Sequence, residues 1–156
     1  MLYFNKTYIL DDLEKQNLEK GLRSRSLKRT KPLDFVFETY NTGSNKYFLG
    51  NDNKNDIKFT RLKTSFELLF PKIIVSFPKN KNLNYYKFRL SIVSNLVIFF
   101  LFIMLLSSFV AVVNHGNNPA DLLIIAILFF GYLLLVVLEL KLTRAKIKKS
   151  LAKNLD

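Results

Sequence analysis

The side chains that could carry out chemistry are few and lie far apart in the sequence. There is no cysteine and a single histidine, His115, so thiol catalysis, disulfides and metal sites made of cysteines or several histidines are excluded within one chain. His115 is interpreted as a solvated loop residue, with a ligand shared between subunits as the alternative. Asp11 and Asp12 form an adjacent carboxylate pair, and helix capping explains them better than acid–base catalysis.

Motifs of known enzyme classes are missing from the sequence. It contains no phosphate-binding glycine loop, nucleophile elbow, HExxH pair or kinase motif. An enzymatic role would have to rest on residues such as Arg61 or Glu67, and turnover lost on mutating either would be its test. We therefore predict a protein that is not an enzyme and that uses no cofactor or metal.

Besides Ser94, the long apolar stretches are interrupted by the polar side chains of Asn95, Ser107, Ser108 and Glu139. Acidic groups at membrane depth are often functional. Glu139 lies near the end of its stretch, two residues before Lys141, which favours a residue paired at the interface. The other three could hydrogen-bond across helices or line a pathway. Two helices alone cannot enclose a transport pathway, so transport would need an oligomer.

The elements that position these residues are two apolar runs. Residues 92–113 are 22 residues without a charge, about 33 Å of helix against a hydrocarbon core of about 30 Å. Residues 122–138 are 17 uncharged residues, and a run that spans lipid must be helical. Asn118 and Pro119 suit the start of the second helix. The sequence predicts a transmembrane helical hairpin at 90–140, with helices at about 90–113 and 119–140.

Basic residues flank the hairpin and are missing from its loop, residues 114–121. The positive-inside rule then places both termini in the cytoplasm, as a multi-pass protein of the bacterial inner membrane. The formal net charge is +12, and anionic lipid headgroups are the natural counterpart, at about 1 kcal/mol per nearby cation. The candidate headgroup contacts are Arg23, Arg25, Lys28, Arg29, Lys31, Lys87, Arg89, Lys141 and Arg144.

Residues 23–31 hold five basic side chains in nine positions. They are interpreted as a solvated linker, with a patch on anionic headgroups and a patch for a partner as the alternatives. The sequence contains no nucleic-acid motif, and nucleic-acid binding is not expected.

Residues 1–89 are predicted to form a small cytoplasmic α+β domain, a mainly antiparallel sheet with one helix, and residues 141–156 a basic cytoplasmic tail. The expected helix covers 13–22, after a strand at 2–10. Residues 66–77 either pack in the domain core or, in part, dip into the membrane interface. The remaining strands are expected at 34–40, 46–49, 56–62, 73–77 and 83–90.

Several short motifs between residues 47 and 92 resemble a widespread group of short bacterial membrane proteins. The matching pieces are Phe48-Leu-Gly50, Lys58-Phe-Thr-Arg61, Ser65-Phe66 and Phe70-Pro-Lys-Ile73. The sequence departs from that pattern in lacking a glycine after Ile73. The resemblance implies an N-terminal α+β domain followed by two membrane helices, and it implies no activity.

Two functions follow as hypotheses. The preferred one is a non-enzymatic inner-membrane protein whose cytoplasmic domain binds a protein partner or anionic lipid. The alternative is a subunit of an oligomeric channel or transporter. Membrane lipid is an expected partner in both, together with a second copy of the chain or another membrane protein.

Overall fold

The structure is a computed structural model, and it describes residues 3–9, 11–36, 45–80, 85–115 and 118–152. Within these ranges a six-stranded sheet is followed by two long helices, which confirms the expected α+β fold with a helical hairpin. The elements are β1 (Tyr3–Ile9), α1 (Asp12–Ser24), β2 (Ser26–Lys28), β3 (Phe48–Asp52), β4 (Asp56–Arg61), β5 (Ile73–Pro78), β6 (Tyr85–Leu90), α2 (Ile92–His115) and α3 (Pro119–Ala152), with 3₁₀ turns at Leu33–Phe35 and Phe66–Leu69.

The strand order is β1-β6-β5-β4-β3-β2, and the pairs are antiparallel apart from the parallel pair β2–β3. In the central strand β5, Ile73, Ile74, Val75 and Phe77 are all buried. Both of its faces are therefore covered, which explains why this stretch is continuously apolar rather than alternating.

One face of the sheet is covered by α1 and by the end of α3. Leu18 and Leu22, one helical turn apart on α1, are buried against the sheet with Phe59 of β4 and Phe88 of β6. The opposite face has a smaller core of Leu33, Leu49, Leu62 and Ile74, beneath the 3₁₀ turn Leu33–Phe35.

The helices α2 and α3 are long and apolar enough to cross a membrane. They lie side by side, and the Phe102 and Phe129 rings approach to 6.1 Å between centroids. In the most apolar 18-residue stretch of each helix, only 6% of the residues are buried inside the protein. Neither of these stretches therefore forms the core of the described domain. Asn118 caps α3 as expected, because its side-chain oxygen accepts the Ala120 N–H at 3.0 Å.

The helix α3 does not end at residue 140 but continues to Ala152. Val136, Glu139, Thr143 and Ile147 are buried, at a spacing of three to four residues that puts them on one face of the helix. Val136 and Ile147 join the core beneath the sheet. Residues 141–152 of the expected tail are therefore helical, and part of them packs with the sheet.

Two local expectations are wrong. Residues 34–36 do not form the start of the strand expected at 34–40, because Asp34 and Phe35 belong to a 3₁₀ turn. Residues 37–40 lie outside the described ranges. Residues 23–31 are not a linker, because they contain the end of α1 and the edge strand β2, whose Leu27 is in register with Leu49. A three-residue strand in a basic segment has too few positions to show an alternating pattern.

The segment 66–77 divides into two parts. Residues 73–77 form most of β5 in the domain core, as one alternative had it. In the turn Phe66–Leu69, Phe66 and Leu69 are each 75% exposed.

Candidate functional site at the junction of the sheet and the helices

The side chain of Arg61, the last residue of β4, reaches across to α3. Its Nη2 donates to Glu139 Oε2 at 2.7 Å and its Nε donates to Glu139 Oε1 at 3.3 Å. The two side chains are 4% and 1% exposed, and Thr143 donates a further, longer hydrogen bond of 3.5 Å to the same carboxylate. This two-point contact fixes the direction in which α3 leaves the sheet.

The remaining arm of Arg61 holds Glu67 in the turn that follows β4. Its Nη1 lies 2.9 Å from both Glu67 carboxylate oxygens. Thr64 holds that carboxylate in place, because its backbone N–H donates to Glu67 Oε2 at 2.9 Å, while its hydroxyl accepts the Glu67 N–H at 3.4 Å. This reciprocal arrangement is a capping box, and it orients the carboxylate toward the arginine.

A second cation, Lys63, lies in the same cluster. Its Nζ donates to the carbonyl oxygens of Phe70 at 2.6 Å and Pro71 at 3.1 Å, which closes the turn from the inside. Burial lowers the pKa of Lys63 to about 8, against the attraction of the nearby Glu139 carboxylate. When Lys63 is protonated, the two positive charges of Arg61 and Lys63 equal the two negative charges of Glu67 and Glu139.

Burial and pairing act in opposite directions on the charges of Arg61 and Glu67. Burial opposes the charged form of Arg61, but hydrogen bonds to Glu139 and Glu67 outweigh it and hold the pKa of Arg61 above its ordinary value. Burial likewise opposes the charged form of Glu67, and hydrogen bonds from Thr64 and Arg61 hold the pKa of that carboxyl below its ordinary value. Both groups are therefore ionised at neutral pH.

A second ion pair lies where β6 joins α2. Arg89 donates to the Asp34 carboxylate through Nη1 and Nη2, each at 2.8 Å, and Asp34 also accepts the Ile92 N–H at 3.0 Å. Despite its burial, these contacts hold the pKa of Asp34 below its ordinary value. A carboxylate at a helix N-terminus is favoured by the helix dipole. Asp34 thus attaches the 3₁₀ turn Leu33–Phe35 to the first turn of α2.

The start of β5 is hydrogen-bonded to the same helix end. Lys72 donates its backbone N–H to Ser94 Oγ at 2.8 Å, and its carbonyl accepts the Ser91 N–H at 2.8 Å. Ser91 caps α2, because its hydroxyl accepts the Ser94 N–H at 3.2 Å. Only Ser91 separates β6 from α2. The sheet is therefore joined to both helices through short polar contacts.

The cluster around Arg61 leaves little room for a substrate. A cavity of about 20 Å³ lies beside it, with Thr60, Lys63, Leu68 and Lys72 among its lining residues. That volume is close to that of a single water. The arrangement can hold the sheet against α2 and α3, but it cannot enclose a small organic ligand.

Several of the basic residues expected at lipid headgroups lie further along the sheet. Asn51 donates to the carbonyls of Arg29 and Lys31, each at 3.0 Å, and these two side chains and Lys28 are exposed. Asn51 is in register with Lys58, which is in register with Ser76 of β5. We call Lys28, Arg29 and Lys31 the distal basic patch. Arg23 is paired with Glu19 at 2.9 Å and Asp52 at 3.2 Å.

The other basic candidates lie elsewhere, and Lys87 of β6 is level with Ser76, like the distal basic patch. Lys141 is exposed on α3, and Arg144 lies over the Phe88 ring at 5.4 Å. Arg89 forms an ion pair with Asp34. The two others also lie over aromatic rings: Arg25 is 5.9 Å from the Tyr47 ring and Lys87 is 4.8 Å from the Tyr85 ring.

The polar residues of the helices have partners close by. Asn95 donates to the Ser91 carbonyl at 3.1 Å, and Ser107 donates to the Met104 carbonyl at 2.9 Å, in each case near its own position in the chain. Ser108 is half-buried. Sequence reasoning placed Glu139 at the interface but did not identify Arg61 as its partner. An acidic residue in an apolar run requires a cation from elsewhere in the chain, and this requirement could have prompted a search for the partner of Glu139.

The chain was also compared with known proteins. Comparison with protein-family models, with curated proteins and with solved structures finds no match. The function is therefore inferred from the geometry and charge of the chain itself.

Proposed function

We propose that this chain is a non-enzymatic integral protein of the bacterial inner membrane, with both termini in the cytoplasm. In this proposal α2 and α3 span the bilayer, and the sheet domain binds a protein partner at its exposed basic surface. The resemblance to short two-helix bacterial membrane proteins agrees with this architecture. The observation that carries the proposal is the buried contact between Arg61 and Glu139, which holds the sheet on the end of a helix that is apolar enough to span.

Rigid attachment determines which surface the domain presents. The sheet is joined to α2 through Ser91 and the Asp34–Arg89 pair, and to α3 through Arg61. A flexible linker would let a domain turn freely over the membrane. Here the polar contacts and the buried residues of α3 hold one end of the strands toward the helices, so the other end faces the cytoplasm.

The position of the distal basic patch favours a protein over lipid headgroups as its ligand. Lys28 is level with Val75, and Arg29 and Lys31 are hydrogen-bonded to Asn51, which is level with Ser76. The patch is therefore two to three residues along β5 from Ile73, about 7–10 Å further from the start of α2. The Debye length at physiological ionic strength is about 8 Å, so attraction between exposed charges weakens over this distance. Lys141 is exposed on α3 two residues beyond the buried Glu139 and is the better candidate for headgroups.

The partner proposal is tested by affinity capture from native membranes with the full-length chain as bait. The variant Lys28→Glu/Lys31→Glu reverses two exposed charges of the patch, and Lys20→Glu/Lys54→Glu reverses two exposed charges elsewhere. We expect the wild type and the control to capture the same partner, and the patch variant to lose it. Capture should weaken as salt rises.

Two results would overturn the proposal. One is equal capture by the patch variant and the control. The other is ion flux through the purified protein in liposomes that is lost on Asn95→Ala, which would instead make the chain a channel or transporter subunit. The hydrogen bonds of Asn95 and Ser107 to nearby backbone carbonyls do not favour that alternative.

A further inference from the structure

The turn after β4 exposes large apolar side chains next to the helix ends. We call residues 64–70 the membrane-proximal turn. Phe66 and Leu69 are each 75% exposed and Leu68 is 39% exposed. Scattered single apolar residues on a surface need no explanation, but three within four positions form a patch that favours an apolar environment.

Two sets of contacts fix the turn near the two helices. On one side Glu67 binds Arg61, which in turn binds Glu139 of α3. On the other side the chain leaves the turn through Pro71 to Lys72, whose backbone is hydrogen-bonded to Ser91 and Ser94. The turn is therefore held between the start of α2 and the place where α3 leaves its apolar segment.

The turn is also rigid and has no unpaired carboxylate. Its backbone is closed by Lys63 and by the Thr64–Glu67 capping box, and the Phe66 and Phe70 rings pack edge to face with centroids 6.4 Å apart. Its one acidic residue, Glu67, is neutralised by Arg61. Its insertion into lipid would therefore bring in no uncompensated negative charge.

We infer that the membrane-proximal turn inserts Phe66 and Leu69 into the interfacial layer of the bilayer, as a third membrane contact beside the two helices. This inference rests on the proposed function, because it requires α2 and α3 to span. The occupant of the patch is lipid, since Arg61 and Lys72 tie the turn to the ends of two helices that would themselves lie in lipid. Aromatic and aliphatic side chains at the boundary of the hydrocarbon region suit this role.

The chain contains no tryptophan, so single-tryptophan variants report on one position each. The full-length variants Phe66→Trp and Leu69→Trp are reconstituted in liposomes that contain lipids brominated either near the headgroup or deep in the acyl chain. We expect strong quenching by the shallow bromines, emission shifted to shorter wavelength, and little quenching by aqueous iodide.

The matched control is Leu13→Trp, on a side chain that is 74% exposed. Leu13 lies in the first turn of α1 near the far end of the sheet, because Lys15 Nζ, two residues on, donates to the Asn80 carbonyl just beyond β5. That end is about 17 Å along β5 from Ile73. The control tryptophan should be quenched by iodide and not by brominated lipid.

A fourth variant, Phe102→Trp, reports on the span itself and should be quenched by the deep bromines. If it is quenched while Phe66→Trp and Leu69→Trp behave like Leu13→Trp, the inserted turn is refuted and the spanning helices stand. If both turn variants are shielded from iodide but not quenched by bromine, a protein surface covers the patch and the inference is also refuted. If Phe102→Trp itself escapes quenching, the proposed membrane function fails.

Discussion

Arg61 and Glu139 are 78 residues apart in sequence, and their charged groups lie within 2.7 Å of each other. Both side chains are almost fully buried. Burying two charges is costly, and the Coulombic attraction repays that cost only when the hydrogen bonds are well formed. Here the arginine also binds Glu67 and the glutamate also accepts from Thr143, so the requirement is met.

Breaking this pair from one side should destabilise the protein. We expect Glu139→Gln to lower the free energy of unfolding in detergent by about 3 kcal/mol, because Arg61 keeps its charge and loses one of its two carboxylates. The control Glu19→Gln removes an exposed pair with Arg23 and should cost under about 1 kcal/mol. Chemical denaturation followed by circular dichroism measures both.

A double variant tests whether Arg61 and Glu139 stabilise the protein through their contact with each other. Arg61→Met combined with Glu139→Met removes both charges and should be more stable than either single variant. If the two single losses simply add, the two residues do not interact and the proposed attachment of α3 is wrong.

Lys63 predicts an unusual dependence of stability on alkaline pH. The pKa of Lys63 is about 8 in the folded protein, against its ordinary value of 10.5. Between these two values the unfolded chain therefore binds more protons than the folded one. The contribution of Lys63 to stability therefore rises as pH increases from 8 toward 10.5. The increase is measured from the free energies of unfolding at about pH 7, 8, 9 and 10.

The variant Lys63→Met isolates that contribution. The difference in stability between wild type and Lys63→Met should shift in favour of the wild type as pH rises above 8. Lys54→Met, which removes an exposed lysine, is measured alongside as the matched control. Parallel curves for wild type and Lys63→Met would show that the lysine titrates normally.

The end of α3 should contribute to the stability of the sheet domain. Ile147 is 3% exposed in the core beneath the sheet. We expect Ile147→Ala to cost about 2–5 kcal/mol in unfolding free energy, since it leaves a cavity in a packed interior. Lys148→Ala, at the adjacent exposed position, should cost less than about 0.5 kcal/mol. Equal effects of the two substitutions would mean that this part of α3 is not packed in solution.

The proposed topology predicts the side of the membrane on which each part lies. A reporter enzyme that is active only outside the cytoplasm should be silent when fused after Asp156 and active when fused after Asn118. Colonies scored on a chromogenic substrate give the result, with immunoblots to show equal expression. Strong activity from the fusion at Asp156 would reverse the orientation.

The sequence predicted most elements because their patterns are local. Ile57 and Phe59 alternate with polar residues in β4, the apolar runs of α2 and α3 exceed a membrane thickness, and Asn118 starts a helix with a known cap. These signals lie within one element and need no knowledge of the rest of the chain.

The parts that were missed depend on contacts between distant residues. The end of α3 is rich in lysine. Within residues 141–149, whose burial the structure describes, Thr143 and Ile147 alone are buried, one turn apart, which is too sparse to stand out from a solvated tail. Nothing near Arg61 or Glu139 in sequence marks them as a pair. The strand β2 exists because β3 provides a partner for it, and its three residues carry no pattern of their own.

The unbroken course of α3 from its apolar half into the sheet domain has a mechanical consequence. A helix resists bending, because a bend must break backbone hydrogen bonds. In a thinner bilayer an apolar helix accommodates the mismatch by leaning over. Only Ser91 lies between β6 and α2, so the sheet cannot stay upright while the helices lean. In the proposed topology, the thickness of the surrounding lipid would therefore set the angle at which the strands project from the membrane.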